Sequence, residues 1–343
     1  MNPEARQLIL STSPYSKRPV DTPAIMRHVI YALAPVMLAA VYFFGLSGLL
    51  LIASCVLGCV LTEWVFTGRG SLRKSTIGDG SAIVTGLLLA LTLPPGLPLW
   101  MAFLGGVAAI VLGKVIFGGL GHNVFNPSLT GRAFLQACFP VALTTWAPFG
   151  NLSMFTELRG DSFALPFTTP RVDAISAATP LAKMKWESVP TEVTELLIGS
   201  IPGSLGETSA LLILLGGGYL AIRKFLNWRI PVGIFATVFV FATLLHLINP
   251  ERFPDGAFHL LSGGLMLGAV FMATDPVTSP VTPRGCWLFA IGVGLLVIAI
   301  RQFGGLPEGV MYSILLMNGL TPLIDRYTQP RIYGVRKPEK KKS

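Results

Sequence analysis

Residues 115–129 read VIFGGLGHNVFNPSL, and residues 301–320 read RQFGGLPEGVMYSILLMNGL. The tetrapeptide FGGL starts at Phe117 and again at Phe303. A second echo pairs LALTLPPGLPLW at 89–100 with FMATDPVTSPVTPRGCW at 271–287. The echoes keep their order along the chain, so the chain is predicted to contain the same unit twice.

The composition says what kind of unit this is. Of 343 residues, 52% are hydrophobic and 13% are charged, and the mean hydropathy is +0.65. Soluble domains carry about 25% charged residues. The chain is therefore expected to be an all-α integral membrane protein, because backbone groups in lipid must be paired within a helix. Each crossing needs roughly 20 residues. Ten spans are predicted, at 29–46, 48–67, 80–94, 99–117, 126–145, 208–223, 230–249, 257–274, 286–303 and 308–326. The first apolar run begins behind a polar tail, later than that of a cleavable signal peptide, so no cleavage is expected.

Cationic residues set the orientation. With the N-terminus inside, eighteen Lys and Arg fall on the cytoplasmic side and five outside. The other three, Lys114, Arg132 and Arg301, fall within spans. This bias places both termini in the cytoplasm. It also accounts for the net charge of +9 without any nucleic-acid partner; the basic tail suits anionic lipid instead. The first FGGL then lies at the cytoplasmic end of span four, and the second at the outer end of span nine. Corresponding pieces facing opposite sides imply two inverted five-helix repeats. The expected organisation is a tail at 1–28, a first repeat at 29–145, an extracytoplasmic segment at 146–207, a second repeat at 208–326 and a basic tail at 327–343.

Polar interruptions recur at matching places. STIGDGSAIVTG opens span three and TDPVTSPVTPRG follows span eight. Broken segments in corresponding positions often build a site inside such proteins. Asp79 and Asp275 sit in these breaks, and are candidates either for binding a coupling ion or for capping a helix. Asn126-Pro127 reads as a helix start with proline in the first turn. Arg132 would then hold a phosphate or a carboxylate, or snorkel to the cytoplasmic face. Snorkelling suffices for Glu63, Asp325, Lys114 and Arg301. Cys55, Cys59, Cys138 and Cys286 lie in or beside apolar runs with no CxxC pair, and read as small core residues. The four histidines show no metal-ligand spacing.

One polar stretch offers neither bulk to pack a core nor an obvious catalyst. Residues 173–182 read DAISAATPLA, inside the segment assigned to the outer side. Together with DGSAIVTGLLLALTLPP (79–95), GHNVFNPSLTGRAF (121–134), IPGSLGETSALLILLGGGYL (201–220) and FMATDPVTSPVTPRG (271–285), it resembles the D subunit of the Rnf ion-translocating ferredoxin:NAD oxidoreductases. The resemblance runs from about residue 12 to residue 326, in matching order. It extends to the B subunit of the sodium-translocating NADH:quinone reductases, which is typically a longer chain.

The resemblance implies a covalent cofactor. Members carry FMN joined through its phosphate to a threonine, in a motif of the form D-x-x-S-G-A-T. That motif falls on Asp173, Ser176, Ala177, Ala178 and Thr179, which makes Thr179 the acceptor. Ala177 departs from the pattern, because glycine is usual there and permits backbone angles that alanine resists. Nothing around Thr179 offers a base or a metal for phosphoryl transfer, so a separate flavin transferase is expected to install the group. The resemblance further implies a second, non-covalent flavin, riboflavin, with no residues assigned to it here. The implied partners are the FMN-bearing G subunit, the A and E membrane subunits, and the lipid bilayer of the bacterial inner membrane. The expected function is electron relay coupled to passage of Na⁺ or H⁺. The alternative is a solute transporter or channel of inverted repeats without a redox cofactor.

Overall fold

A computed structural model describes residues 21–67, 76–146, 162–166, 178–187, 189, 191–199, 201–207, 209–250 and 252–330. Helix α1 (Thr22–Thr67) is two helices joined at Gly45, where φ is 67° and ψ is −145°. Only glycine takes that backbone readily, so the break falls where the predicted first and second spans meet. Helix α2 (Ser81–Leu91) and helix α3 (Leu99–Ile110, extended by a π turn over Val111–Val115) pack on α1.

Glycines let these three helices approach closely. A Cβ at Gly86 would lie 2.7 Å from the Val56 Cα, and one at Gly106 would lie 2.7 Å from the Cys55 carbonyl oxygen. The buried thiols of Cys55 and Cys59 sit in the same seam, aimed at the carbonyls of Ala102 (3.6 Å) and Gly106 (3.5 Å). Here the small-core reading of the cysteines holds; Cys138 instead is exposed. Replacing Gly106 with alanine is predicted to push α3 off α1 and to cost about 1–3 kcal/mol, measured as lowered thermal stability in detergent.

Helix α4 (Pro127–Cys138) starts as the sequence predicts. Asn126 Oδ1 accepts from the amides of Ser128 (3.0 Å) and Leu129 (3.4 Å), with Pro127 in the first turn. The predicted span 126–145 is not continuous, however. Phe139 leaves the helical region, with φ −133° and ψ 58°, and α5 (Pro140–Thr144) follows. A residue before proline is driven out of the α region by the ring.

Three short elements follow in the segment assigned to the outer side: α6 (Pro180–Ala182), a π turn over Lys183–Glu187, and α7 (Val193–Ile198). Helix α8 (Ala210–Ile222) then packs on α1, and α9 (Arg229–Ile248) runs beside α12 (Pro283–Phe303). Between them the predicted span 257–274 is broken. It forms α10 (Gly256–Leu261), then α11 (Leu265–Leu267) continuing as a π turn over Gly268–Met272. Gly263, at φ 68°, makes the break. Helix α13 (Val310–Thr328) packs on α12 and touches α4.

The described residues form no strand. Among them, three helices are long and apolar enough to cross a membrane: α1, α9 and α12. Helices α2 and α8, at 11 and 13 residues, are shorter than predicted. At 1.5 Å per residue they span roughly 16–20 Å, less than the ~30 Å hydrocarbon layer. The core is one cluster drawn from both halves of the chain, including Phe44, Leu89, Leu135, Phe271, Phe289 and Ile314.

Candidate functional site

The Thr179 segment is seated against the protein body. Thr179 is the N-cap of α6, in an extended conformation, and its Oγ accepts from the Ala182 amide at 3.3 Å. Pro180 follows at the first helical position, where its fixed φ suits the turn. Leu181 anchors the segment in a small apolar cluster with Leu196, Ile201 and Phe258. Lys185, in the next turn, donates to three carbonyls: Arg301 at 2.9 Å, Gly304 at 2.6 Å and Leu306 at 3.0 Å. Partial burial lowers the pKa of this ammonium from its ordinary value.

A cavity of about 340 Å³ opens beside Thr179. Ala178 and Thr179 form one wall, and Trp146, Trp186 and Tyr312 contribute aromatic surface. Arg132, Glu207 and Glu308 supply the charges. Arg132 Nη2 donates to Glu308 Oε2 at 3.0 Å, and the Gly264 amide donates to Glu308 Oε1 at 2.5 Å. Behind this pair Arg301 donates to the carbonyls of His259 (2.6 Å) and Ser262 (2.9 Å). The broken backbone at 262–264 is thus held by charged side chains from α12 and from the connection that precedes α13. Arg132 Nε is buried with no hydrogen-bond partner among the described residues.

Of the readings offered for Arg132, the structure shows a carboxylate partner. The snorkelling readings of Arg301, Lys114 and Glu63 are corrected. Arg301 is 3% exposed and Lys114 is 2% exposed, so neither reaches toward headgroups. Lys114 Nζ lies 2.7 Å from Glu63 Oε1 and 2.6 Å from the Ser81 hydroxyl, and Glu63 is fully buried. A charge in such surroundings persists because its partner is at contact distance. Asp325 accepts from the Val281 amide at 3.2 Å.

Asp79 and Asp275 both bond to nearby backbone. Asp79 Oδ1 accepts from the Ser81 amide at 2.7 Å. Asp275 accepts from the Val277 amide (3.5 Å) and the Thr278 hydroxyl (3.1 Å). These are turn and cap contacts. A second cavity, of about 90 Å³, is lined by Asp275 with Ser81, Lys114, Asn123 and Asn126, and Asp79 is not among its lining residues. Asp173, Ser176 and Ala177 lie outside the described residues. Sequence reasoning does not single out Glu207, Glu308 or Lys185. The available signal is an acid inside each of two glycine-rich breaks, GSLGETS and FGGLPEG.

A family model described as the NQR2, RnfD, RnfE family matches residues 9–334. Three relatives illustrate the likeness. The D subunit of the ion-translocating oxidoreductase complex of Halorhodospira halophila is 40% identical over 341 residues, covering 95% of each chain. The D subunit of the Na(+)-translocating ferredoxin:NAD(+) oxidoreductase complex of Acetobacterium woodii is 43% identical over 339 residues, covering 97% of each. The proton-translocating counterpart from Clostridium ljungdahlii is 40% identical over 339 residues, covering 96% of each. A match over nearly the whole chain, supported by relatives that align over nearly their full length, places the protein in the NQR2, RnfD, RnfE family.

Proposed function

We propose that this chain is the D subunit of an Rnf-type ion-translocating ferredoxin:NAD oxidoreductase, and that it carries FMN covalently on Thr179. The observation that carries this reading is the seating of Thr179 on the wall of a cavity that also holds Arg132 and three aromatic side chains. The residues fit the cofactor. The volume of about 340 Å³ is that of a ligand pocket, for which 300–1,000 Å³ is usual. The Thr179 hydroxyl provides the attachment point. The Nε of Arg132, which has no partner among the described residues, provides a cationic donor for an anionic group. Trp146, Trp186 and Tyr312 offer flat apolar faces to a planar ring.

Bound there, FMN would accept electrons from one partner and pass them to another. The chain's own residues do the positioning. Thr179 fixes one end of the cofactor, Pro180 and Leu181 fix the threonine, and Lys185 ties the segment to the end of α12. The electron partner in this reading is the FMN-bearing G subunit on the outer side; the A and E membrane subunits are further partners in the complex. A flavin transferase installs the group, and riboflavin is a second flavin without assigned residues.

The body is read as two inverted repeats in the bacterial inner membrane, with both termini cytoplasmic. Two features support this. The packing order α1–α3–α4 recurs as α9–α12–α13. Apart from Arg132 and Gln136 of α4, the segments that line the Thr179 cavity belong to the side that the charge bias assigns as outer. Relatives of nearly equal identity are named for Na⁺ and for H⁺, so likeness alone favours neither ion. Asp79 and Asp275 are the proposed ion-coupling residues. Changing Asp275 to Asn is predicted to lower ion uptake by the reconstituted complex by about tenfold, the effect of roughly 1.4 kcal/mol at a binding step, with covalent flavin unchanged. Unchanged uptake would remove it from the pathway.

The flavin assignment is tested by ultraviolet fluorescence of the denatured chain on a gel, after production with an active transferase. A fluorescent band is expected. A dark band would favour the cofactor-free transporter.

A further inference from the structure

Lys185 makes more contacts than a surface lysine needs. Its ammonium has three N–H groups, and all three find carbonyl oxygens, at 2.6, 2.9 and 3.0 Å. The acceptors come from two pieces of chain. Arg301 lies in the last turn of α12, while Gly304 and Leu306 belong to the GGL connection that follows. The last carbonyls of a helix have no partners within it and carry the negative end of its dipole. Twenty-one residues of α12 end here.

Such a cluster is not specific for an ammonium. Carbonyl oxygens converging on one point are the groups that replace the hydration shell of alkali cations. Helix C-terminal ends beside unwound backbone serve the same purpose in ion-coupled membrane proteins. The same end of α12 also forms part of the cavity wall, through Gly305, Leu306, Pro307 and Glu308.

The ligand of this cage is tied to the Thr179 segment. Lys185 is six residues from Thr179, and the intervening chain is α6 and the start of the π turn. In the seated segment Thr179 is 7% exposed and its hydroxyl caps a turn. No large reagent or enzyme reaches a side chain so placed. On the proposed function a transferase must reach that hydroxyl, so that reading requires a second, lifted position of the segment, and lifting must withdraw Lys185 from its three carbonyls.

We propose that the outer end of α12 is a monovalent-cation site, filled by Lys185 when the Thr179 segment is seated and by a cation from the outer solution when the segment lifts. The exchange trades one positive charge for another. Its position then follows mass action, because a ligand that binds only the lifted form shifts the balance by the factor 1 + [L]/Kd. Small monovalent cations should expose Thr179, and large organic cations should not.

The test uses the full chain in detergent, made without a transferase. Thr179→Cys reports exposure through its rate of reaction with a membrane-impermeant maleimide. Cys138→Ser removes the exposed native thiol; Cys55, Cys59 and Cys286 are buried. Rates are compared in sodium chloride and in N-methylglucamine chloride at equal ionic strength. With Lys185 present, labelling is expected to be roughly threefold faster in sodium once its concentration is twice the site's Kd. Adding Lys185→Gln, which keeps the length but not the charge, should give fast labelling in both salts. Equal rates in the two salts with Lys185 present would overturn the cation site without depending on any change at Lys185. Slow labelling of the Lys185→Gln protein would overturn the latch.

Discussion

Changing Thr179 to Ala is expected to remove covalent flavin completely while leaving a folded protein. The alanine has no oxygen to carry a phosphoester, so the loss is all or none. The structural cost is small. Thr179 Oγ satisfies one amide, that of Ala182, at 3.3 Å. Losing an N-cap of this kind costs about 1 kcal/mol, and the apolar anchor at Leu181 is untouched. The variant should therefore elute as wild type does on size exclusion and yet give no fluorescent band after denaturation. Thr179→Ser restores a hydroxyl on the same backbone and should restore some fluorescence. Ala177→Gly restores the residue usual at that place and should speed attachment. A Thr179→Ala chain that still fluoresces would move the flavin to another residue.

Lys114→Met is expected to be the most destabilising single change at a side chain outside the Thr179 cavity. Lys114 Nζ bridges Glu63 (2.7 Å) on α1 and Ser81 (2.6 Å) at the start of α2. The side chains of Lys114 and Glu63 are 3% and 0% exposed. Methionine fills the space but removes the ammonium that lies 2.7 Å from the buried Glu63 carboxylate. Breaking a buried pair in this way costs about 3–5 kcal/mol. The double change Glu63→Gln with Lys114→Met removes both charges and should recover most of that loss. The measurement is thermal unfolding in detergent at two salt concentrations. Salt should leave the difference nearly unchanged, because a buried pair is poorly screened. A loss below about 1 kcal/mol, the range of surface pairs, would show that water reaches the site.

Much of the architecture is legible locally, and its exceptions have local causes. The break at Gly45, the Asn126 cap and the start of α12 at Pro283 all follow from residues within a turn of the feature. Phe139-Pro140 and Ser262-Gly263-Gly264 also carry their breaks in the sequence, but the apolar windows around them read as unbroken spans. The charges are a different matter. Glu63 and Lys114 are 51 residues apart, Arg132 and Glu308 are 176 apart, and Lys185 reaches carbonyls up to 121 residues away. A cation near the end of an apolar run satisfies a snorkelling argument whenever no partner is in view. Only the packing of α1 on α3, and of α4 on α13, supplies the partner. The candidate site shows the same division. Thr179 comes from a motif, whereas the cavity beside it is made by segments from both halves of the chain.

Mass spectrometry of the tryptic peptide 172–183, VDAISAATPLAK, cut after Arg171 and Lys183, decides whether Thr179 carries the flavin. The sample is wild-type chain made with an active flavin transferase. A peptide heavier by FMN less one water is expected, with fragment ions placing the added mass on Thr179. Recovery of that peptide wholly at its unmodified mass, with the transferase shown to modify another substrate in the same cells, would contradict the assignment.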